Sequence, residues 1–367
     1  MHYRSFGKTG ETVSALGFGM MRLPTNADGT TDTQWAIDTL RYAIDHGVNY
    51  VDTAYVYGDS EVVTGLCLQD GYREKVMLAT KLPVIRLTCP EDFDRILDEQ
   101  LARLQTDHID AYLLHALGRD RWENCVLKYN ILERAEQAKA DGRIRYLGFS
   151  FHDSLDAFRT ILNGYDKWDF CQIQLNYMDV NYQAGLQGLQ EAHEKGLGVV
   201  IMEPLRGGRL AELPDGVAQL LPGAPVESGL NFLWDRKEIS VVLSGMSAME
   251  QVVQNIAYAG KAHPGMLSDA QRQQCIQAGD QLRKLLSINC TGCHYCDVCP
   301  QSIAIADIFA LSNQAQLDGD WRAASEAYRR LSDRDAAKCI ACGACVQQCP
   351  QQIPIPEKLQ KLHKRLA

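Results

Sequence analysis

Residues 47–61, "GVNYVDTAYVYGDSE", hold the pattern that decides the fold: a short apolar run, a polar loop and the start of a helix. The run ends at Asp52, and Ser60 is in the position of a helix cap before the amphipathic segment "EVVTGLCL". Similar runs alternate with amphipathic segments from the start of the chain to about residue 260. Because each run is brief and nearly continuous in its hydrophobicity, it is typical of a parallel strand covered on both faces.

The apolar runs number eight before the pattern changes. They are "VSALGFG", "GVNYVDTA", "KVMLATKL", "IDAYLLH", "IRYLGFS", "DFCQIQLN", "GLGVVIMEP" and "ISVVLSGM". Eight strand–helix units predict an α/β fold, a (β/α)8 TIM barrel. A doubly wound sheet is the alternative, although the first strand–helix turn lacks the G-x-G-x-x-G of a dinucleotide-binding unit. Residues 1–13, with "GKTG" at a turn, predict a hairpin that closes the bottom of the barrel.

Composition narrows the class of protein. The chain has 367 residues, of which 46% are hydrophobic and 23% charged, as in globular proteins. Its net charge of -9 argues against nucleic acid and anionic membranes as partners. No run of about 18 apolar residues occurs, and "MHYRSFGKTG" has no apolar signal-peptide core. We therefore expect a cytoplasmic protein.

Two cysteine runs follow the predicted barrel. The second, Cys339–Pro350, has the spacing C-x2-C-x2-C-x3-C-P, which is typical of bacterial two-cluster ferredoxins. The first, Cys290–Pro300, is one residue shorter before its last cysteine. In this kind of motif three cysteines hold one cluster and the fourth serves the other. The predicted ligand sets for two [4Fe-4S] clusters are Cys290, Cys293, Cys296 and Cys349, and Cys339, Cys342, Cys345 and Cys299.

Structural zinc is the alternative for these runs. Zinc favours two separated C-x2-C pairs, whereas each run here packs four cysteines together and ends in Cys-Pro. The other five of the thirteen cysteines have no such spacing, so we interpret them as ordinary thiols of a reducing compartment. These observations divide the chain into a barrel over residues 1–265, a linking helix over 266–287 and a mostly helical, ferredoxin-like iron–sulfur domain over 288–367.

Four ionisable side chains fall at or just after the ends of three consecutive predicted strands. They are Asp52 and Tyr57 of "DTAYVYGDSE", Lys81 of "ATKLP" and His115 of "YLLHA". In a barrel enzyme the chemistry lies at the carboxyl ends of the strands. An ammonium beside a phenol favours the phenolate, and a buried ammonium needs a counter-ion such as a carboxylate. An imidazole can polarise a substrate oxygen.

These residues and their order resemble the aldo-keto reductases, over about residues 3 to 260. The resemblance implies an oxidoreductase in which a nicotinamide, NAD(P)(H), exchanges hydride with a small carbonyl or alcohol. It implies that Asp52, Tyr57, Lys81 and His115 form a catalytic tetrad with Tyr57 as the proton donor.

The resemblance also implies a cofactor seat across the barrel mouth. Ser150 and Gln172 are expected to bind the carboxamide, Met202 to cover the nicotinamide ring and Asn255 to meet the adenine. Leu205 and Gly207 of "PLRGGRL" are expected beside the pyrophosphate. Many members hold a 2′-phosphate with Lys or Arg after strand eight, where this chain has Gly245, Ser247 and Gln251. A preference for NADPH is therefore in doubt.

Three functions are compatible with a hydride-transfer barrel joined to iron–sulfur clusters. The leading interpretation is an iron–sulfur aldo-keto reductase. The second is a cluster-driven reductase without nicotinamide, fed by a ferredoxin-type partner or through a flavin, although no flavin motif is present. The third is an electron-carrier protein on an inactive barrel, against which the intact tetrad argues.

Overall fold

Eight parallel strands close into a barrel, so the predicted fold class is confirmed. The computed structural model describes residues 1–367. The barrel strands are β3 (Leu16–Gly19), β4 (Tyr50–Asp52), β5 (Met77–Leu82), β6 (Ile109–Leu117), β7 (Ile144–Phe151), β8 (Phe170–Gln174), β9 (Gly198–Met202) and β10 (Val241–Ser244), which follow the hairpin strands β1 (Tyr3–Ser5) and β2 (Thr12–Ser14). β10 pairs with β3 as well as with β9, and this pairing closes the barrel.

Helices connect the strands and form most of the carboxyl-terminal part. They are α1 (Thr33–Asp45), α2 (Ser60–Cys67), α3 (Asp92–Leu104), α4 (Arg119–Arg121), α5 (Ile131–Ala140), α6 (Leu155–Asn163), α7 (Gly185–Glu194), α8 (Asp215–Ala218), α9 (Pro225–Trp234), α10 (Met249–Ala259), α11 (Asp269–Leu285), α12 (Ile305–Asp318), α13 (Trp321–Arg330), α14 (Ala344–Gln348) and α15 (Ile355–Leu366). None of the helices is long and apolar enough to cross a membrane.

The amino-terminal hairpin closes one end of the barrel. β1 and β2 pair antiparallel, and the turn between them places the fully buried Phe6 against Tyr50 and Phe170, with ring centroids 5.9 and 5.1 Å away. Tyr50 and Phe170 begin β4 and β8, so this is the amino-terminal end of the barrel. The opposite end of the barrel, at the carboxyl ends of the strands, is the end at which the sequence predicts the catalytic residues.

The chain divides into two compact units. The first comprises residues 1–204 and 229–268, and the second comprises 205–228 and 269–367. The predicted linking segment 266–287 contains α11. Residues 205–228, which the sequence division gave to the barrel, group with the second unit.

The second unit has its own apolar core. Phe309 of α12, Tyr328 of α13 and Leu359 of α15 are buried together, and the thiols of Cys296 and Cys345 belong to the same cluster of buried residues. The Tyr328 hydroxyl accepts a hydrogen bond from the Ala336 amide at 2.9 Å. The two cysteine runs are therefore built around this core rather than attached to it by a free tail.

Candidate functional site

The four residues predicted for catalysis come together at the carboxyl end of the barrel. Asp52 is the last residue of β4, and Lys81 is the last but one of β5. His115 lies in β6, which continues two residues further than the sequence run indicated. Tyr57 is in the loop between β4 and α2. Parallel pairing of the three strands holds the side chains in chain order along one rim.

Lys81 is held by two buried acceptors. Its ammonium, which is fully buried, donates to Asp52 Oδ1 at 2.6 Å and to the Thr53 carbonyl at 2.7 Å. Burial raises the pKa of the Asp52 carboxyl, while the ammonium of Lys81 acts in the opposite direction. A buried charge without a partner is costly, so each member of this pair stabilises the other in its place.

The ammonium of Lys81 also faces Tyr57. The Nζ atom is 3.4 Å from the Tyr57 hydroxyl and 4.8 Å from the centre of the ring. On the other side, the rings of Tyr57 and His115 meet edge to face at 6.0 Å. Tyr57 is only half-buried, so the phenol connects a buried ion pair to the mouth of the barrel.

His115 is presented by an irregularity in β6. The register with β7 shifts between Leu114 and Leu117, and Ala116 has a φ of 53°, in the left-handed region. Such bulges re-aim side chains beside active sites. Burial lowers the pKa of His115 well below its usual value, and the charges of Lys81, His152 and Arg121 lower it further. The imidazole is therefore neutral at neutral pH and can form hydrogen bonds to a substrate oxygen without carrying charge.

Ser150 and Gln172 lie side by side, because they are partners in the register of β7 and β8. The Ser150 oxygen accepts a hydrogen bond from the Ala116 amide at 2.7 Å, and its own proton is still a donor. Gln172 is buried, and its Oε1 atom has no hydrogen-bond partner. A buried unpaired acceptor next to a hydroxyl fits a primary carboxamide, which both donates and accepts.

Met202 and Asn255 are also in the first unit. Met202 ends β9 and is half-buried. Asn255 in α10 is buried and donates to the Ser244 hydroxyl at 3.1 Å, while its Oδ1 atom has no partner. This acceptor fits a ligand with an N–H group.

Leu205 and Gly207 belong to the second unit, unlike the other residues predicted to bind the cofactor. They lie at a tight turn, Arg206–Gly208. Gly207 and Gly208 have φ values of 68° and 96°. Glycine is favoured in this left-handed conformation, and it leaves the backbone open to close approach.

Arg22 is a residue that sequence reasoning missed. After β10, Gly245 and Ser247 are exposed, and the Ser247 amide donates to Gln251 Oε1 at 2.9 Å. A Cβ atom on Gly245 would lie 3.7 Å from Arg22 Cβ and 3.8 Å from its Cδ. Arg22 follows β3, which pairs with β10 where the barrel closes. That adjacency of the first and last strands was the available signal for a cation at this place.

The structure brings the eight cysteines into two groups that each mix both runs. One cavity, with about 320 Å³ of empty volume, is lined by Cys290, Cys293, Cys296 and Cys349. The other, with about 290 Å³, is lined by Cys299, Cys339, Cys342 and Cys345. No three His, Cys, Asp or Glu side chains are placed to hold a single metal ion. Four thiols around a cavity fit a group with its own volume, such as an iron–sulfur cluster, and its ligands must be thiolates.

Comparison with known proteins identifies the class. Residues 15–222 match the Aldo/keto reductase family, and residues 289–353 match the 4Fe-4S dicluster domain. The chain belongs to the aldo/keto reductase family and is an oxidoreductase with a 4Fe-4S domain at its carboxyl-terminal end.

Particular relatives cover the barrel. The chain is 35% identical over 163 residues to the aldo-keto reductase YhdN of Bacillus subtilis (strain 168), which is 41% of this chain and 47% of YhdN. It is 32% identical over 162 residues to the 6-dehydroglucose reductase of Novosphingobium aromaticivorans, 40% of this chain and 51% of that one. The chain thus spans about half the length of these curated relatives. The structure of aldo-keto reductase AKR11C1 from Bacillus halodurans (holo form) is similar with a TM-score of 0.65 and 26% identity, covering 76% of this chain and 96% of the other.

Proposed function

We propose that the barrel reduces a small carbonyl compound to the alcohol with NAD(P)H, and catalyses the reverse reaction with NAD(P)+. The contact that carries the proposal is the Lys81 ammonium, 2.6 Å from Asp52 and 3.4 Å from the Tyr57 hydroxyl. Family membership supports it, since the names of both curated relatives describe reductases.

Tyr57 is the proposed proton donor. When bound, the nicotinamide supplies a hydride to the carbonyl carbon. The Tyr57 hydroxyl gives its proton to the carbonyl oxygen, so that the products are the alcohol and the oxidised cofactor. The phenolate left behind is stabilised by the neighbouring ammonium of Lys81 and takes its proton back from solvent. A positioned general acid contributes about 10² to 10⁴ in rate.

The other tetrad members position the Lys81 ammonium and polarise the substrate carbonyl. Asp52 is the counter-ion of the Lys81 ammonium and fixes its direction, because the pair is buried and in direct contact. His115 provides a neutral imidazole beside the Tyr57 ring, where it donates to the same carbonyl oxygen. Ser150 and Gln172 are the proposed carboxamide ligands, and the unpaired Oε1 of Gln172 supports this.

We further propose that each cysteine-lined cavity holds one [4Fe-4S] cluster, with the two crossed ligand sets named above. The clusters exchange single electrons, which suits a ferredoxin-type partner, whereas the barrel residues serve hydride transfer. Residues 1–265, 266–287 and 288–367 are the proposed barrel, linker and cluster parts, while residues 205–228 of the first part group with the second compact unit.

A direct assay tests the reductase function in the full chain, purified without oxygen. Butanal and NADH or NADPH should yield butanol and oxidised nicotinamide in equal amounts. Tyr57→Phe should abolish this reaction while the reduced cofactor still binds, as followed by its fluorescence. Loss of cofactor binding in Tyr57→Phe, or unchanged turnover, would contradict the assigned role.

A further inference from the structure

Glu61 is a buried carboxylate that the reduction described above does not use. It is the second residue of α2, and only 1% of it is exposed. Its Oε1 atom accepts hydrogen bonds from the Thr80 hydroxyl at 2.6 Å and from Gln100 Nε2 at 2.7 Å, and its Oε2 atom accepts one from Arg103 Nη1 at 3.2 Å. The three partners all donate, so the site needs an acceptor at both oxygens, which a carboxylate has and an amide lacks.

Two of these donors are tied to the backbone that carries Lys81. Thr80 directly precedes Lys81 in β5, and Gln100 Nε2 is also 3.2 Å from the backbone carbonyl of Lys81. Gln100 is itself held in place, because its Oε1 atom accepts a hydrogen bond from the Tyr112 hydroxyl of β6 at 2.7 Å. Through this buried network, Glu61 joins the start of α2 to the carboxyl end of β5.

The start of α2 is also the end of the loop that carries Tyr57. Tyr57 lies four residues before Glu61, and its backbone carbonyl accepts a hydrogen bond from the Ser60 amide at 3.1 Å. The proposed proton donor and Glu61 are therefore on one continuous piece of chain, and Lys81 is on the other. The 3.4 Å contact between the Tyr57 hydroxyl and the Lys81 ammonium joins the same two pieces that Glu61 connects.

Arg103 of α3 adds a second link to this loop. The guanidinium that pairs with Glu61 also lies 4.1 Å from the centre of the Tyr55 ring, a cation–π contact. The Tyr55 hydroxyl donates to Glu99 Oε2, which is on the same helix, at 2.7 Å. Because Tyr55 and Glu61 lie on either side of Tyr57 in the chain, α3 holds the loop both before and after the proton donor.

We propose that Glu61 is a positioning residue of the reaction, which together with Gln100 sets the distance between the Tyr57 hydroxyl and the Lys81 ammonium. The inference rests on the proposed reductase function, in which Tyr57 gives the proton. Glu61 acts through the elements that it holds and not on the substrate. A displacement of about 1 Å in an active site can cost about 10²-fold in rate, so the effect belongs in kcat.

The test begins with Glu61→Gln in the full chain, purified without oxygen. The variant keeps the shape of the side chain but turns an amide NH2 group towards one of the donors. We expect kcat for butanal to fall about 10- to 100-fold, while the dissociation constant of the reduced cofactor changes by less than about twofold.

Asp110→Asn is the matched control. The Asp110 carboxylate is also buried, accepts from the Leu78 amide of β5 at 2.9 Å and pairs with Arg73 at 2.8 Å, but it lies at the amino-terminal end of the barrel. The control should unfold at a lower temperature and keep kcat within about twofold of the wild type. This comparison separates a loss of position from a general loss of stability.

Thr80 offers a conservative pair of variants that changes less of the buried network. Thr80→Val has nearly the same size but lacks the hydroxyl that Glu61 accepts from, and kcat should fall about tenfold. Thr80→Ser keeps the hydroxyl and should keep kcat. If Glu61→Gln does not fold, this pair decides, and equal kcat values for Thr80→Val and Thr80→Ser overturn the inference.

Amide hydrogen exchange, followed by mass spectrometry, tests the positioning role without turnover. Exchange in residues 53–60 should be about tenfold faster in Glu61→Gln than in the wild type and unchanged in Asp110→Asn. Equal kcat values for Glu61→Gln and wild type, or equal losses in Glu61→Gln and Asp110→Asn, overturn the positioning role and leave the reductase function standing. If the wild type reduces no aldehyde, the reductase function fails, and unchanged exchange in residues 53–60 then overturns the role of Glu61 as well.

Discussion

Lys81 and Asp52 form a fully enclosed ion pair, with 2.6 Å between Nζ and Oδ1, and the same ammonium lies 3.4 Å from the Tyr57 hydroxyl. The pair therefore has a structural side and a reactive side. Asp52 neutralises the buried charge of Lys81 inside the barrel, and the ammonium faces the Tyr57 hydroxyl towards the barrel mouth.

Replacing Lys81 by Met should lower carbonyl reduction by about 10² to 10⁴, because the phenol loses the charge that stabilises its phenolate. The variant also leaves Asp52 buried without its partner, so its thermal unfolding temperature should fall as well. Steady-state kinetics and thermal unfolding measure the two effects. Lys75→Met is the control, since Lys75 is exposed and pairs with Asp45 at 3.2 Å. A Lys81→Met variant as active as Lys75→Met would show that the ammonium has no part in proton transfer.

Titration of His115 should not appear in the pH profile near the usual histidine value. Burial and neighbouring cations lower the pKa of His115 well below 6.5, so the ring stays neutral as the pH falls through 6.5 and gains its proton only in more acidic solution. As far as His115 is concerned, kcat/KM should be constant from about pH 6 to about pH 8. A fall in kcat/KM with an apparent pKa near 6.5 that is absent in His115→Asn would contradict this prediction.

The crossed ligand sets predict an unusual pattern of iron loss. The intact chain should contain about eight iron atoms. Cys290→Ala and Cys349→Ala should disturb the same cluster, so the double variant should still hold about four iron atoms. Combining Cys339→Ala with Cys349→Ala should disturb both clusters. Iron analysis and electron paramagnetic resonance of the reduced protein measure this.

Cys67→Ala, at a buried thiol of the first unit, is the control for the cluster variants and should keep all the iron. If each cysteine run binds its own cluster, the Cys339/Cys349 double variant should keep about four iron atoms, and the Cys290/Cys349 double variant should lose iron from both clusters. Stoichiometric zinc without iron in protein prepared anaerobically would remove the cluster assignment altogether.

The preference for NADPH over NADH, or the reverse, should be weak. No basic side chain occupies Gly245, Ser247 or Gln251, and Arg22 is the cation placed beside Gly245. We expect the dissociation constants of NADH and NADPH to differ by less than about 100-fold. Arg22→Met should weaken NADPH more than NADH, because only NADPH has a 2′-phosphate. Equal weakening of both cofactors, or a larger preference for NADPH that survives in Arg22→Met, contradicts this account.

Much of the fold could be predicted because a buried parallel strand has a local signature. The eight apolar runs are local signatures of this kind, and Gly142 and Gly196, which have positive φ, follow the ends of α5 and α7. The boundaries were less readable. The run "VSALGFG" contains the end of the hairpin strand β2 as well as the barrel strand β3. Ser60 begins α2 instead of capping it, and its hydroxyl donates to the Met20 carbonyl at 2.8 Å.

The parts of the site that sequence reasoning missed depend on contacts between distant segments. Arg22 lies beside Gly245 only because the barrel closes, and Arg121 donates to the Ala116 carbonyl only where β6 has a bulge that no residue pattern marks. Glu61 is a third example: Thr80 and Gln100 donate to its buried carboxylate at 2.6 and 2.7 Å, behind Lys81. In the sequence, Glu61 is an acidic residue in the first turn of a predicted helix, and nothing there indicates that its carboxylate is buried.

The most direct test of the account follows a single hydrogen atom. Full-length protein is supplied with butanal in ordinary water and with NADH or NADPH that carries deuterium at both hydrogens of nicotinamide C4, and the alcohol is analysed by mass spectrometry. Direct hydride transfer in the barrel predicts one deuterium on the carbinol carbon of every product molecule from the wild type, and no alcohol from Tyr57→Phe. An alcohol whose carbinol hydrogen comes from water, formed only with a one-electron donor, would show that the clusters and not a nicotinamide drive the reduction.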